Sequence, residues 1–263
     1  MSDPQPIRFN DGAAYEELMG KWSRLAGEIF LEWVAPPPAL TWVDVGCGNG
    51  AFSELLASHA HAARINGVDP SEGQLAFART RHKAGVAEFQ IGDAMKLPFD
   101  TSSADAAAMA LVLFFVPEPA AGVAEMARVV RPGGIVCAYA WDIIGGGFPL
   151  EPIQIELRAM GMNPSLPPRP EASRIDVMHG LWSAAGLVEV ETREIRVRRL
   201  FTNFEEYWQS CTNGPSLKDR VAAMEPAVAA DLRERVRQRL EAPTEGAFSA
   251  EAWANAVKGR VAG

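Results

Sequence analysis

Leu18, Met19, Trp22, Leu25, Ala26, Ile29, Phe30 and Trp33 recur at three- and four-residue spacing, the period of one buried helix face. Asn10 or Asp11 can cap the helix they predict, and Pro36-Pro37-Pro38 must end it. A different rhythm follows. Short apolar, β-rich runs occupy Thr41 to Val45, Ile65 to Val68, Ala87 to Ile91, Ala106 to Leu113 and Ile135 to Trp141, and helical patterns separate most of them. Strand alternating with helix predicts parallel neighbours, because only a crossover returns the chain to start a parallel strand. The expected fold is therefore α/β, a doubly wound, Rossmann-like, mostly parallel sheet with helices on both faces. Ahead of the last of these strands Glu118 can cap a helix, Pro119 suits its first turn, Val123, Met126, Ala127 and Val130 form its buried stripe, and Arg131 to Gly134 turn into the strand.

Beyond Trp141 the pattern loosens. Gly145-Gly146-Gly147 and the stretch from Asn163 to Pro170 break regular structure, which predicts a mobile cover over residues 142–186. A short helix is expected near Met178 to Ala185 with a glycine stop at Gly186, then an extended run from Leu187 to about Phe201. In that run Arg193 to Arg199 alternate with Ile195 and Val197, as the solvated face of a strand would. Ala229 to Leu240 reads as helix. Phe248 to Val261 fits a strand, although Ala252 to Val257 would also suit a helix.

Composition narrows the function. The 263 residues are 48% hydrophobic and 22% charged, enough to build a core and too apolar for a disordered chain. A net charge of −8 disfavours nucleic acid as a partner, since that binding rests on clustered Lys and Arg. The N-terminus lacks the pattern of a signal peptide, and no apolar run approaches the ~20 residues of a membrane span, so a cytoplasmic protein without a membrane span is expected. Cys47, Cys137 and Cys211 show no CxxC spacing, so no disulfide framework and no metal are expected. His59, His61 and His82 fall in polar company and read as surface residues.

The sharpest local signal is Val43-Asp44-Val45-Gly46-Cys47-Gly48-Asn49-Gly50-Ala51-Phe52, a strand running through three alternating glycines into a helix. Glycine serves where the backbone needs positive φ or where a ligand must lie against it, so the loop is a nucleotide seat. The spacing also satisfies the pattern of dinucleotide sites. Asp44 argues for a cationic ligand, because a carboxylate there would repel a pyrophosphate and attract an ammonium or sulfonium. About 20 residues on, Asp69 ends a second strand, where a carboxylate can accept two hydrogen bonds from a ribose diol. Asp93, after a third strand, can accept from an adenine amino group while Ala94 and Met95 enclose the ring.

These residues resemble the class I S-adenosylmethionine-dependent methyltransferases. Asp44 to Gly50 is similar to their first motif, Asp69 to the acid after their second strand, and Gly92-Asp93-Ala94 to their adenine motif. Leu97-Pro98-Phe99, Asp105, Leu111 to Phe115 and Glu125 to Gly134 follow in order, so the resemblance covers residues 41–141. Tyr15-Glu16 to Trp22-Ser23 is similar to the lid helix of small-molecule members akin to the ubiquinone and menaquinone biosynthesis enzymes. The resemblance implies a seven-stranded sheet whose last strand, Phe248 to Val261, is antiparallel. It implies one domain over residues 1–263: a lid helix at 1–38, a cofactor-binding half at 41–141, a cover at 142–186, and the last strands at 187–263 with a helical insertion at about 202–240. It also implies a cofactor set of Tyr15, Trp22, Asp44, Gly46, Cys47, Gly48, Asn49, Asp69, Pro70, Gln74, Asp93, Ala94, Met95, Ala110 and Leu111. One departure is Met109-Ala110, where family members often carry a polar residue.

The expected function is transfer of a methyl group from S-adenosylmethionine, leaving S-adenosylhomocysteine, to a small and partly hydrophobic acceptor. Direct displacement needs alignment and exclusion of water but no catalytic triad. Asp142 and His179 are the candidate bases, and Trp141, Phe148 and Tyr207 the candidate acceptor pocket. An NAD(P)-dependent oxidoreductase and a non-catalytic S-adenosylmethionine-binding protein are the alternatives. The acceptor, the atom methylated and the choice between monomer and homodimer stay open.

Overall fold

The computed structural model describes residues 19–82, 85–163, 166–212 and 214–263. Its strands are β1 (Thr41–Val45), β2 (Arg64–Asp69), β3 (Ala87–Ile91), β4 (Ala104–Ala110), β5 (Val130–Trp141), β6 (Leu187–Phe201) and β7 (Phe248–Val261). They form one seven-stranded sheet in the order β3-β2-β1-β4-β5-β7-β6. The first five run parallel, and β7 lies antiparallel to both β5 and β6. Helix α1 (Lys21–Val34) precedes the sheet; α2 (Ala51–Ser58), α3 (Glu72–Arg81) and α4 (Pro119–Val129) belong to the parallel half. Further on come α5 (Glu151–Ala159) and α6 (Ile175–Ala184), and between β6 and β7 lie α7 (Phe204–Thr212), α8 (Pro215–Ala222) and α9 (Pro226–Arg239). The order reverses between β1 and β4, so the loops after those strands diverge and leave a crevice at the carboxyl edge. Ala106 to Met109 and Val136 to Ala140 are fully buried, as central strands covered on both faces must be.

Several boundaries differ from those the pattern predicts. β4 stops at Ala110, short of Leu113, because Leu111 takes a left-handed φ of 64° and gives its amide to the Tyr139 carbonyl at 2.7 Å. A 3-10 turn, Leu113–Phe115, replaces the expected strand end. β5 starts early, at Val130, with Arg131 to Gly134 looped out of register between Ala104 and Ala106 of its neighbour. Glu118 occupies the N-cap position of α4 without a side-chain cap bond. Segment 142–186 is not irregular throughout: it holds α5, a 3-10 turn at Pro170–Ser173, and α6. Buried Glu156 of α5 accepts from Arg239 Nε of α9 at 2.6 Å, which fastens this cover to the helices between β6 and β7.

The basic run of β6 is also corrected. Beyond a register shift between Val188 and Glu191, where Glu189 has φ 51°, Ile195, Val197, Arg199 and Phe201 alternate inward. Arg199 is therefore only 7% exposed, while Leu200 is 72% exposed. The Arg199 guanidinium lies 4.4 Å from the centre of the Phe201 ring and 3.9 Å from Glu206 of α7, which offset part of its desolvation.

From Lys21 on, the N-terminal helix packs into the core. Trp22, Ala26, Phe30 and Leu31 are buried, and α1 packs on α2, β6 and β7. Trp22 faces Phe201 at 6.2 Å and Phe30 faces Tyr139 at 4.7 Å, while Lys258 Nζ of β7 donates to the Trp33 carbonyl at 3.2 Å. Tyr15, Leu18 and the expected caps Asn10 and Asp11 lie outside the described residues. Trp22→Ala should accordingly cost about 3–5 kcal/mol of unfolding free energy, the range for emptying a buried aromatic site. Urea denaturation checks this; a loss under about 0.5 kcal/mol would mean that α1 rests on the sheet without supporting it.

Candidate functional site

A cavity of about 570 Å³ opens at the carboxyl ends of β1, β2 and β4, within the size range of ligand sites. It brings together twelve residues singled out in the sequence: Gly46, Cys47, Gly48, Asn49, Asp69, Pro70, Gln74, Asp93, Ala94, Met95, Ala110 and Leu111. Parallel register explains the convergence. Val45 of β1 pairs with Val68 of β2 and Asp69 with Ile91 of β3, so the loops after all three strands leave the sheet at one level.

The glycine loop is latched to β2. Gly46 and Cys47 donate their amides to the Val68 carbonyl at 2.7 and 3.0 Å, and Gly48 donates to Asp69 Oδ2 at 3.0 Å. Asp69 Oδ1 accepts from the Ser71 amide at 2.8 Å, so one carboxylate ties the loop to the start of α3. Gly46 and Gly48 have positive φ, 73° and 51°. A Cβ on Gly46 would strike Val112 at 2.6 Å, whereas one on Gly48 would meet nothing within 4 Å, since it points into open space beside the cavity. The loop of Asp93 is held from below. Glu125 of α4 accepts from the Leu97 amide at 2.8 Å, and Arg128 donates to the carbonyls of Leu97 and Phe99 at 3.1 and 2.9 Å.

The electrostatics are those of two buried acids. Asp44, wholly buried beneath the loop, does not line the cavity; its Oδ2 accepts from Ser53 Oγ at 2.6 Å, and its Oδ1 has no hydrogen-bond partner among the described residues. Burial pushes its carboxyl up to about 7, against the lowering effect of Ser53 and with help from the negative charge of Asp69. Burial raises Asp69 as well, opposed by the Ser71 and Gly48 amides. The Cys47 thiol is pushed far up by burial and by both acids, which leaves it un-ionised and unreactive.

The remaining wall comes from residues the sequence did not single out for the site. Gly20, Ser23 and Arg24 of the N-terminal segment line one side; Phe115, Val116, Pro117 and Pro168 form an apolar side, and Tyr139 of β5 also lines the cavity. Arg169 donates to the Pro117 carbonyl at 2.7 Å and to Glu118 at 3.1 Å, fixing Pro168 against that loop. No local motif marks these residues. Other expected members lie elsewhere. Trp22 turns away from the cavity toward Phe201. Trp141 and Tyr207 are buried in the core, Tyr207 against Phe201 and Phe248, and Phe148 packs beside it, so none of the three lines the cavity. Asp142 turns back to accept from the Gly145 amide at 2.7 Å, and His179 is exposed on α6; neither candidate base reaches the cavity. Tyr15 is outside the described residues. Among the described residues no cluster of His, Cys, Asp and Glu could hold a metal, and no helix is long and apolar enough to cross a membrane.

Residues 43–138 match a family described as a methyltransferase domain. The chain is 38% identical over 112 residues to a demethylmenaquinone methyltransferase of Desulfitobacterium hafniense, covering 40% of this chain and 44% of that one. It is 26% identical over 151 residues to a malonyl-[acyl-carrier protein] O-methyltransferase of Hahella chejuensis, covering 53% and 54%. The matches thus span about half the length of these relatives. In fold the chain is similar to phosphoethanolamine N-methyltransferase 2 of Haemonchus contortus in complex with S-adenosyl-L-methionine, with a TM-score of 0.59 at 16% identity over 96% of this chain and 57% of that one.

Asp44 makes the site's own charge state measurable without ligand. A carboxyl raised to about 7 in the fold binds its proton more tightly there than in the unfolded chain. Its contribution to stability is full below the usual carboxylate range and is lost as pH rises through about 7, to a limit of roughly 4 kcal/mol. Asp44→Asn should therefore raise the melting temperature of the ligand-free protein at pH 8.5 and change it little at pH 5. Thermal melts at both values decide; an equal shift at each would mean that Asp44 is not a buried acid titrating near neutrality.

Proposed function

We propose, on the premise that residues 43–138 are a methyltransferase domain and that the fold around them is that of the class I S-adenosylmethionine-dependent methyltransferases, that the chain transfers a methyl group from S-adenosylmethionine to a small, partly hydrophobic acceptor. The observation that carries this is Asp44, a buried acid directly beneath a glycine loop, with one oxygen that finds no partner among the described residues. An acid so placed is costly by itself, and a cation above the loop lowers that cost. A dinucleotide would bring a pyrophosphate to the same place and raise it.

The residues present fit such a cofactor. Gly46 to Asn49 would seat it, the open space at Gly48 admitting a ligand against bare backbone. Asp69 would take the ribose, its oxygens keeping acceptor capacity beside the two amide bonds. Asp93, Ala94 and Met95 would take the adenine. When bound, the cofactor supplies a sulfonium methyl already activated toward displacement. The chain then has to orient the acceptor and keep water out, and Leu111, Phe115, Val116, Pro117 and Pro168 provide an apolar enclosure for that. The apolar enclosure, together with a relative named as a demethylmenaquinone methyltransferase, supports an acceptor with hydrocarbon character.

Isothermal titration with S-adenosylhomocysteine tests the cofactor. Asp69→Ala should weaken binding by about 1.5–3 kcal/mol, and Gly48→Val should abolish it, by filling the ligand's approach and straining a positive φ. Gly180→Ala, on α6 where a Cβ meets nothing within 4 Å, is the neutral control. Gly134 cannot serve, because a Cβ there would lie 2.5 Å from the Asp105 carbonyl. Preferential binding of NAD by the wild-type chain would sink the proposal.

A further inference from the structure

Helix α3 does more than connect β2 to β3. Gln74, Ala78 and His82 repeat at four-residue intervals, so they share one side of the helix, and that side lies along the glycine loop. Gln74 lines the cavity and Ala78 is fully buried. A Cβ on Gly50 would come within 3.1 Å of Ala78 Cβ and 3.2 Å of the His82 ring. Gly50 has φ 79°, a conformation that favours glycine, and a side chain there would press on Ala78 and His82.

His82, at the end of α3, is not the surface residue its polar neighbours suggest. Its Nε2 lies 3.0 Å from the Gly50 carbonyl oxygen. A carbonyl only accepts, so Nε2 carries the proton and donates. The ring rests on Phe89 of β3, with centroids 5.2 Å apart, which fixes its plane. The same Gly50 carbonyl accepts from the Glu54 amide at 3.0 Å in the first turn of α2, and Gly50 brings no side chain to cap that helix. The loop is thus held at its start by Val68, at Gly48 by Asp69, and at its far end by His82.

We propose that His82 is a positioning residue for the cofactor: its Nε2–H, donated to the Gly50 carbonyl, holds the far end of the glycine loop in the binding conformation before ligand arrives. The inference rests on reading the cavity as an S-adenosylmethionine site. A loop fixed in advance has less freedom to lose on binding, so removing the latch should cost affinity although His82 touches no ligand.

The test compares wild type, His82→Ala and His82→Gln by isothermal titration with S-adenosylhomocysteine and by amide hydrogen exchange of residues 50–54 without ligand. Glutamine carries an amide Nε2 that can donate to the same carbonyl. His82→Ala should bind about tenfold more weakly and exchange faster at residues 50–54, and His82→Gln should stay within about threefold of wild type on both measures. The glutamine rescue separates a donated hydrogen bond from lost packing on Phe89. Unchanged affinity in His82→Ala, or His82→Gln as weak as His82→Ala, would overturn the proposal. A wild-type chain that does not bind S-adenosylhomocysteine would instead overturn the cofactor reading, and the exchange of residues 50–54 would then decide the latch alone.

Discussion

Both oxygens of the Asp69 carboxylate are committed to backbone amides, Oδ2 to Gly48 and Oδ1 to Ser71, so a single side chain sets the distance between the glycine loop and the start of α3. The cavity exists because that distance is held. Burying a carboxylate costs free energy, and two amide bonds recover only part of it, which is why its carboxyl still lies above the usual range. Asp44 is in the same position with less support, one serine hydroxyl and no second partner among the described residues. Two acids at the floor of one crevice make its interior receptive to positive charge, and the glycine backbone above them supplies the surface on which a ligand can rest.

Much of this was legible in the sequence, for identifiable reasons. β1 and β3 run over the residues that their apolar patterns predict, β1 as a strand buried along nearly its whole length and β3 as an edge strand with Ala87 and Phe89 half-buried and Glu88, Gln90 and Ile91 exposed. β7 was ambiguous between strand and helix from its own residues: Ala252, Ala254 and Ala256 point into the core while Asn255 and Val257 are covered from the other face, so no clean alternation survives. β6 deceived at Arg199 because arginine normally marks a solvated face; it shares the side of Ile195 and Val197, and the Phe201 ring and Glu206 of α7 that meet it there are contacts a charge pattern does not show. The end of β4 was missed because Leu111 adopts a backbone conformation that leucine rarely takes.

The candidate site divides in the same way. Residues at strand ends were found, since parallel strands bring their carboxyl ends together whatever the details of the loops. The opposite wall was not. Ser23, Tyr139 and Pro168 are far apart in the chain, and only the packing of α1 on β5, β6 and β7 and the Arg169 bonds to Pro117 and Glu118 bring them to one cavity. Of the aromatic residues expected there, Trp141 was placed by its position at the end of the fifth strand and Tyr207 by the aromatic content of its segment, and both went to the core instead, the usual destination of large apolar rings.

The position of β7 has a consequence for how the chain is made. It lies between β5 and β6, yet it is the last of the seven strands to be synthesised. Until residues 248–261 have left the ribosome, β5 presents a bare edge of unpaired backbone groups and β6 has no neighbour at all. The parallel half, with its glycine loop, can assemble early, but the sheet closes only by inserting its final strand between two others. A chain without residues 248–261 therefore carries unpaired backbone along β5 and β6, the kind of exposed edge through which strands of different chains can pair.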